Sequence, residues 1–259
     1  MIFIKKIFRK IRNLGGRHGS PEGLVILMYH RINDNLPAHN LVTRTKAFAE
    51  QMRFLCWHAN VCRVISLKEF ETGHPAIFGQ EPKTKIIITF DDGYRDNYLN
   101  AFPVLKKFGF PATVFLTTGL IGTDQKFNRY ADLPGRDMLD WTEVAKMYAH
   151  KIAFGAHTAS HPHLPRFSYQ TQREEIAESR ACVNKNLPPG ERLDTFCYPY
   201  GEYNADTLKI VQELGFRYAL SVIPGVNKPE TPLFELRRIE VSGFDTIKNF
   251  EYKLLEKYR

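Results

Sequence analysis

The chain has 259 residues, 43% hydrophobic and 25% charged, which is enough apolar material for a full core and too little charge bias for disorder. Its formal charge of +8 is lopsided: Lys5, Lys6, Arg9, Lys10, Arg12 and Arg17 carry six positive charges with no acidic residue beside them, leaving +2 for everything after residue 17. That balance argues against a broad nucleic-acid-binding face, and no apolar run reaches the roughly 18–20 residues that a membrane span needs.

Segment 1–17 reads as a basic amphipathic arm. Phe3, Ile4, Ile7, Phe8, Ile11 and Leu14 recur at three- and four-residue steps until Gly15-Gly16 stops the pattern. Such a helix fits an anionic membrane surface, or it packs on the rest of the chain. The cations break any continuous apolar core of a signal peptide. Cys56, Cys62, Cys182 and Cys197 form no Cys-x-x-Cys pair. Reduced thiols in the cytoplasm, with the protein peripheral on the inner membrane face, are the expectation.

Residues 18–259 read as one domain. Apolar, β-rich runs at 24–29, 61–65, 85–90, 112–117, 152–155, 195–198, 218–223 and 236–241 alternate with helical patterns at 45–58, 96–108, 141–150, 168–187 and 204–214. Gly109 and Gly215 look like helix C-caps. This alternation predicts an α/β fold, a parallel sheet with helices outside it. The stretch at about 120–140, with Gly122, Pro134 and Gly135, is long enough to cap a barrel mouth, or is an inert insertion.

Three of the runs end in polar groups: Asp91-Asp92-Gly93, His157-Thr158-Ala159-Ser160-His161 and Pro199-Tyr200-Gly201. In a parallel barrel the carboxyl ends of the strands share one mouth, so the three groups converge. Adjacent carboxylates repel and call for a cation or a shared proton, although an Asp-Asp-Gly turn in water is the plainer reading. A helical turn would put His157 and His161 on one face, and Asp92 would complete a two-histidine, one-carboxylate metal site. Zinc hydrolases and iron oxygenases both use such triads, so geometry alone leaves the metal open.

Thr89-Phe90-Asp91-Asp92-Gly93, then His157-Thr158-x-x-His161-Pro162, then Tyr198-Pro199-Tyr200-Gly201, resemble the three motifs of the polysaccharide deacetylases of carbohydrate esterase family 4, which carry the NodB-homology domain. The likeness runs from about residue 24 to 241. It implies a single deformed (β/α) barrel of about seven parallel strands. It also implies a divalent metal, usually Zn2+, on Asp92, His157 and His161, a donor set that would also accept Co2+, Ni2+ or Fe2+. Asp91 would be the general base and the backbone N–H of Tyr200 an oxyanion donor beside Pro199. No histidine follows His163, so the acid that many relatives carry near the end of the chain is missing. His30, at the end of the first run, is the expected substitute, as in the circularly permuted branch; a loop histidine bonded to backbone is the alternative. Cys197 stands where many relatives have an arginine, and Arg238 is the candidate for that charge, against an ordinary surface salt bridge.

Trp141 and Tyr200 could wall a sugar ring, but Asp140-Trp141-Thr142-Glu143 also reads as a capped helix start with Trp141 packed inward. His163, His150, His74, His58, His39 and His18 join no constellation. The function implied is metal-dependent hydrolysis of an N-acetyl group on a polysaccharide or a lipid-linked sugar, with acetate released. A carbohydrate-binding relative without catalysis and a metal amidase acting on another amide are the alternatives.

Overall fold

The computed structural model describes residues 22–128, 131, 137–188 and 193–257. The basic arm 1–17 and part of the stretch at 120–140 lie outside these residues.

Seven parallel strands form a continuous curled sheet in the order β10–β1–β5–β6–β7–β8–β9. They are β1 (Gly23–Tyr29), β5 (Thr84–Phe90), β6 (Ala112–Leu116), β7 (Ile152–Ala156), β8 (Thr195–Cys197), β9 (Tyr218–Leu220) and β10 (Ile239–Glu240). Every residue of β1 and β5 is buried, as expected of strands covered on both faces. β4 (Cys62–Val64) joins off this path, pairing with Thr84–Ile86 of β5, while β6 pairs only with Thr89 and Phe90 farther along the same strand. One edge of β5 is thus shared between two strands, which deforms the barrel. The gap between β9 and β10 is bridged at Leu220 and Leu236, with the Ser221 N–H and hydroxyl both donating to the Leu236 carbonyl. β2 (Arg31–Ile32) and β3 (Val42–Thr43) form a small separate pair.

Helices α1 (Thr45–Trp57), α2 (Leu67–Gly73), α3 (Phe102–Phe108), α4 (Trp141–Tyr148), α5 (Tyr169–Asn186), α6 (Ala205–Glu213) and α7 (Ile247–Tyr252) complete the fold. Their starts are written in the sequence. Ser66, Asp140, Ser168, Asn204 and Thr246 each accept a backbone N–H as N-caps, and Asp140–Glu143 forms a reciprocal capping box. Gly109 closes α3 in a left-handed conformation.

Differences from expectation are local. Runs 218–223 and 236–241 contribute only three and two strand residues, because between them the chain makes an isolated bridge rather than a ladder. The helix expected at 96–108 opens with a π-turn, Asn97–Ala101. The short β2, β3 and α2 were not foreseen.

One buried carboxylate links α2 to the sheet. Glu71 Oε1 accepts from the Thr195 hydroxyl at 2.6 Å and from the Asp194 N–H at 2.9 Å, docking α2 on the start of β8. Burial pushes its carboxyl up to about 7, against the opposing Thr195 hydrogen bond and Lys68 charge. A raised folded-state pKa means that the stabilising contribution is complete below about 4.5, the ordinary value, and is lost as pH rises through about 7. Glu71→Gln keeps the acceptor and removes the titration. In urea unfolding between about pH 5 and pH 8, this variant should gain on wild type by up to about 3 kcal/mol. A stability difference independent of pH would contradict this assignment.

Candidate active site

All strands of the main sheet are parallel, so their carboxyl ends open at one mouth. Residues just beyond β1, β5, β7 and β8 line a cleft of about 490 Å³ there, which includes His30, Asp91, Asp92, His157, His161 and Tyr200. Arg238, immediately before β10, closes its inner wall.

The first group is turned by its backbone. The Thr89 hydroxyl donates to the Leu27 carbonyl and the Asp91 N–H to the Tyr29 carbonyl, fixing the end of β5 against β1. Asp92 (φ 77°) and Gly93 (φ 86°) are then both left-handed. A Cβ on Gly93 would lie 2.9 Å from a Leu116 methyl, so glycine is required there on both counts. The sharp turn sends the two carboxylates to different partners.

Asp91 meets Arg238. Both guanidinium Nη atoms donate to its carboxylate at 2.8 Å, and both residues are buried. The Cys197 thiol donates from 3.6 Å. Burial alone would raise the pKa of Asp91, but the Arg238 charge and hydrogen bonds hold it below the usual carboxylate range. The expected arginine is therefore supplied from the far end of the chain, as a buried bidentate pair rather than a surface salt bridge.

Asp92 faces the histidines. Its Oδ1 lies 3.5 Å from His157 Nε2 and 3.2 Å from His161 Nε2. The pair does not sit on a helical turn, which corrects the expectation. The loop instead kinks through left-handed Thr158 and His161, and the Thr158 hydroxyl accepts the His161 N–H while donating to the His157 carbonyl. Glu175 of α5 braces the loop by accepting the Ala159 and Ser160 N–H groups. His157 Nδ1 lies 2.8 Å from the Cys197 carbonyl; that oxygen only accepts, so Nδ1 carries a proton and donates it, and Nε2 is the atom that faces Asp92.

The three donor atoms lie within 4.8 Å of one another and are buried. One carboxylate and two imidazoles, one with its tautomer fixed by a carbonyl, suit a zinc-like divalent ion. Burial opposes charge on His157, yet the Asp92 and Asp91 carboxylates overcome it and raise its pKa well above the ordinary value, as expected where cations are attracted. Cys197, Asp91 and His157 form a second close grouping. Burial raises the Cys197 pKa, keeping the sulfur a protonated donor, and Arg238 already engages Asp91.

Tyr200 adopts φ 57° and is 45% exposed at the rim. Its ring stands edge-on to His161 at 4.5 Å and stacks on His163 at 4.0 Å and 6°. His163, bonded in turn to Glu202 at 2.9 Å, thus buttresses the rim. Its place in His161-Pro162-His163 was the only available signal for that role. Trp141 and Pro199 do not line the cleft. Trp141 begins α4 and packs on the main core, the inward alternative, while Pro199 is buried at the start of a 3-10 turn.

Replacing Arg238 by Met would leave the Asp91 carboxylate buried and unneutralised, and should cost about 3–5 kcal/mol in urea unfolding. Adding Asp91→Asn to Arg238→Met should recover part of that loss; a fully additive double variant would show that the pair is not coupled.

The comparisons with known proteins agree with this geometry. The family described as Polysaccharide deacetylase matches residues 78–219, a span that includes Asp91, Asp92, His157, His161 and Tyr200 but neither His30 nor Arg238. YxkH of Bacillus subtilis strain 168, whose name assigns it to the polysaccharide deacetylases, is 31% identical over 223 residues, covering 86% of this chain and 72% of its own length. The poly-beta-1,6-N-acetyl-D-glucosamine N-deacetylase of Staphylococcus epidermidis is 28% identical over 239 residues, 85% of this chain and 80% of that protein. Among solved structures, the Streptococcus pyogenes deacetylase PplD in complex with acetate superposes with a TM-score of 0.77 at 25% identity, covering 91% of this chain and 99% of that one. Sequence, fold and motif order converge, and the chain belongs to the polysaccharide deacetylase family of carbohydrate esterases, as a hydrolase.

Proposed function

We propose that the protein removes the acetyl group from the nitrogen of an N-acetylated sugar, in a polysaccharide or a lipid-linked glycan precursor, with zinc held by Asp92, His157 and His161. The observation that carries this reading is the division of labour between two adjacent carboxylates in one cleft. Asp92 is committed to the histidines and Asp91 to Arg238. The N-acetylglucosamine polymer named for the Staphylococcus epidermidis relative supports a sugar substrate.

Asp92, His157 and His161 would hold a divalent ion, which would supply Lewis-acid chemistry toward a water and an acetyl carbonyl. Asp91, kept ionised by Arg238, takes the proton of the attacking water. The Tyr200 N–H, aimed by its left-handed backbone, donates to the oxyanion that develops on the carbonyl. His30 lines the same cleft and protonates the departing amine. Arg238 keeps Asp91 charged and in place through two parallel hydrogen bonds.

Acetate release from β-1,6-linked N-acetylglucosamine oligosaccharides, measured with metal content, tests the assignment. Asp91→Asn should retain the metal and lose about 10²–10⁴-fold in kcat, whereas Asp92→Asn should lose the metal itself. Wild-type turnover by Asp91→Asn would refute the base assignment.

His30 has a separate signature. An amine needs a proton to leave and a nitrophenolate does not, so His30→Ala should slow amide hydrolysis about 10²–10⁴-fold and nitrophenyl acetate hydrolysis far less. Equal losses on both substrates would remove His30 from the acid role.

A further inference from the structure

His30 lies between β1 and β2, where the chain leaves the main sheet. Side chains of a single turn hold the segment that begins there. The Asn97 amide donates to the His30 carbonyl at 2.9 Å, and the Asn100 amide to the Ile32 carbonyl at 2.7 Å. Asp96 accepts the Ile32 N–H at 3.1 Å, Arg31 Nε at 2.7 Å and the Asn33 amide at 3.1 Å. Residues three and four apart share one face of a helical turn, which is how Asp96, Asn97 and Asn100 reach one segment together.

Asn97 is fully buried, and its chemistry fixes which way the amide points. The His30 carbonyl and Asp96 Oδ1, at 2.9 and 3.4 Å, both accept, so the amide nitrogen faces them. The Asn97 Oδ1 is left buried with no hydrogen-bond partner among the described residues. An orphaned oxygen destabilises a fold, and an apolar side chain of similar size would avoid it. Stability alone therefore does not account for this amide; its hold on His30 does. The same turn is tied to the catalytic aspartates. Asn97 follows Asp92 by five residues, and over that stretch the Arg95 N–H donates to the Asp137 carbonyl at 2.8 Å and the Leu139 N–H to the Gly93 carbonyl at 3.0 Å. Arg31 closes the circuit, its Nη1 donating to the Asp137 carboxylate at 3.1 Å. His30 and Asp92 thus hang on one braced segment, and a proton donor displaced by about 1 Å loses much of its effect.

We infer that Asn97 is a positioning residue for proton transfer to the departing amine: by holding the His30 main chain, it sets where the imidazole stands relative to Asp92, His157 and His161. This inference rests on the proposed deacetylation, in which His30 is the acid. Asn97 is not among the residues that line the cleft, so it acts through His30 and not on the substrate.

Asn97→Leu keeps most of the volume and removes the donor. In the zinc-loaded, full-length protein its kcat on N-acetylglucosamine oligosaccharides should fall about 10–100-fold with KM little changed, while nitrophenyl acetate hydrolysis falls far less. In a His30→Ala background the same change should add nothing, because the group it positions is gone. Asn97→Ala also lacks the donor and should show the same amide-selective loss; circular dichroism checks that both variants are folded. Nitrogen NMR of the histidine rings gives a readout independent of turnover. The His30 signals, assigned by their loss in His30→Ala, should shift or broaden in Asn97→Leu while those of His157 and His161 stay. Unchanged His30 signals overturn the inference, as do equal losses on amide and ester or losses that add to those of His30→Ala. If the His30 signals move but wild type releases no acetate, the hold of Asn97 on His30 stands and the deacetylation reading fails.

Discussion

Two like charges on consecutive residues at the end of a buried strand are the constraint around which this protein is arranged. Asp91 and Asp92 are both almost fully buried, and neither could stay ionised in a shared apolar environment. The left-handed turn at Asp92 and Gly93 resolves this by pointing them apart, one toward Arg238 and one toward His157 and His161. Each partner is in turn fixed: Arg238 donates through Nε to the Ser221 carbonyl, and His157 to the Cys197 carbonyl. Charge compensation and catalytic positioning are the same set of contacts.

The cost of that arrangement is concentrated in the backbone. Among the described residues other than glycine, Asp92, Thr158, His161, Tyr200 and Lys151 have positive φ, and four of the five belong to the cleft's motifs. Residues with a Cβ adopt this conformation at a cost of about 1–3 kcal/mol each unless the surroundings impose it. Here Thr158 and Glu175 hold the histidine loop, and the stack of His163 on Tyr200 holds the rim. The parallel sheet beneath supplies the rigidity that these loops lack.

Most of the framework was legible in the chain. Apolar runs marked β1, β5, β6 and β7, and Asp140–Glu143 marked a helix start, because burial on both faces and orphan N–H groups leave direct compositional traces. The convergence of the aspartates and histidines followed from parallel strand ends. Loop conformation did not: the spacing of His157 and His161 suggested a helical turn, and nothing in the residue types announces left-handed Thr158. Nor does sequence reveal which of two adjacent arginines turns inward. Arg238 is buried while Arg237 is exposed, since successive residues of an extended segment point to opposite faces. Trp141 packs against the core, the inward one of the two readings that its capped helix start allowed.

The cleft draws its parts from nearly the whole length of the chain. His30 follows the first strand, while Arg238 precedes the last and is held there by its N–H bond to the Ile223 carbonyl. The span common to the family holds Asp92, His157 and His161, but the charge that keeps Asp91 ionised comes from Arg238, beyond that span and just before the last strand. In the proposed mechanism, catalytic competence is therefore a property of the whole curled sheet and not of a separable module. A chain emerging from the ribosome would carry both histidines well before Arg238 could reach Asp91, and the proposed hydrolysis would await the docking of the final strand.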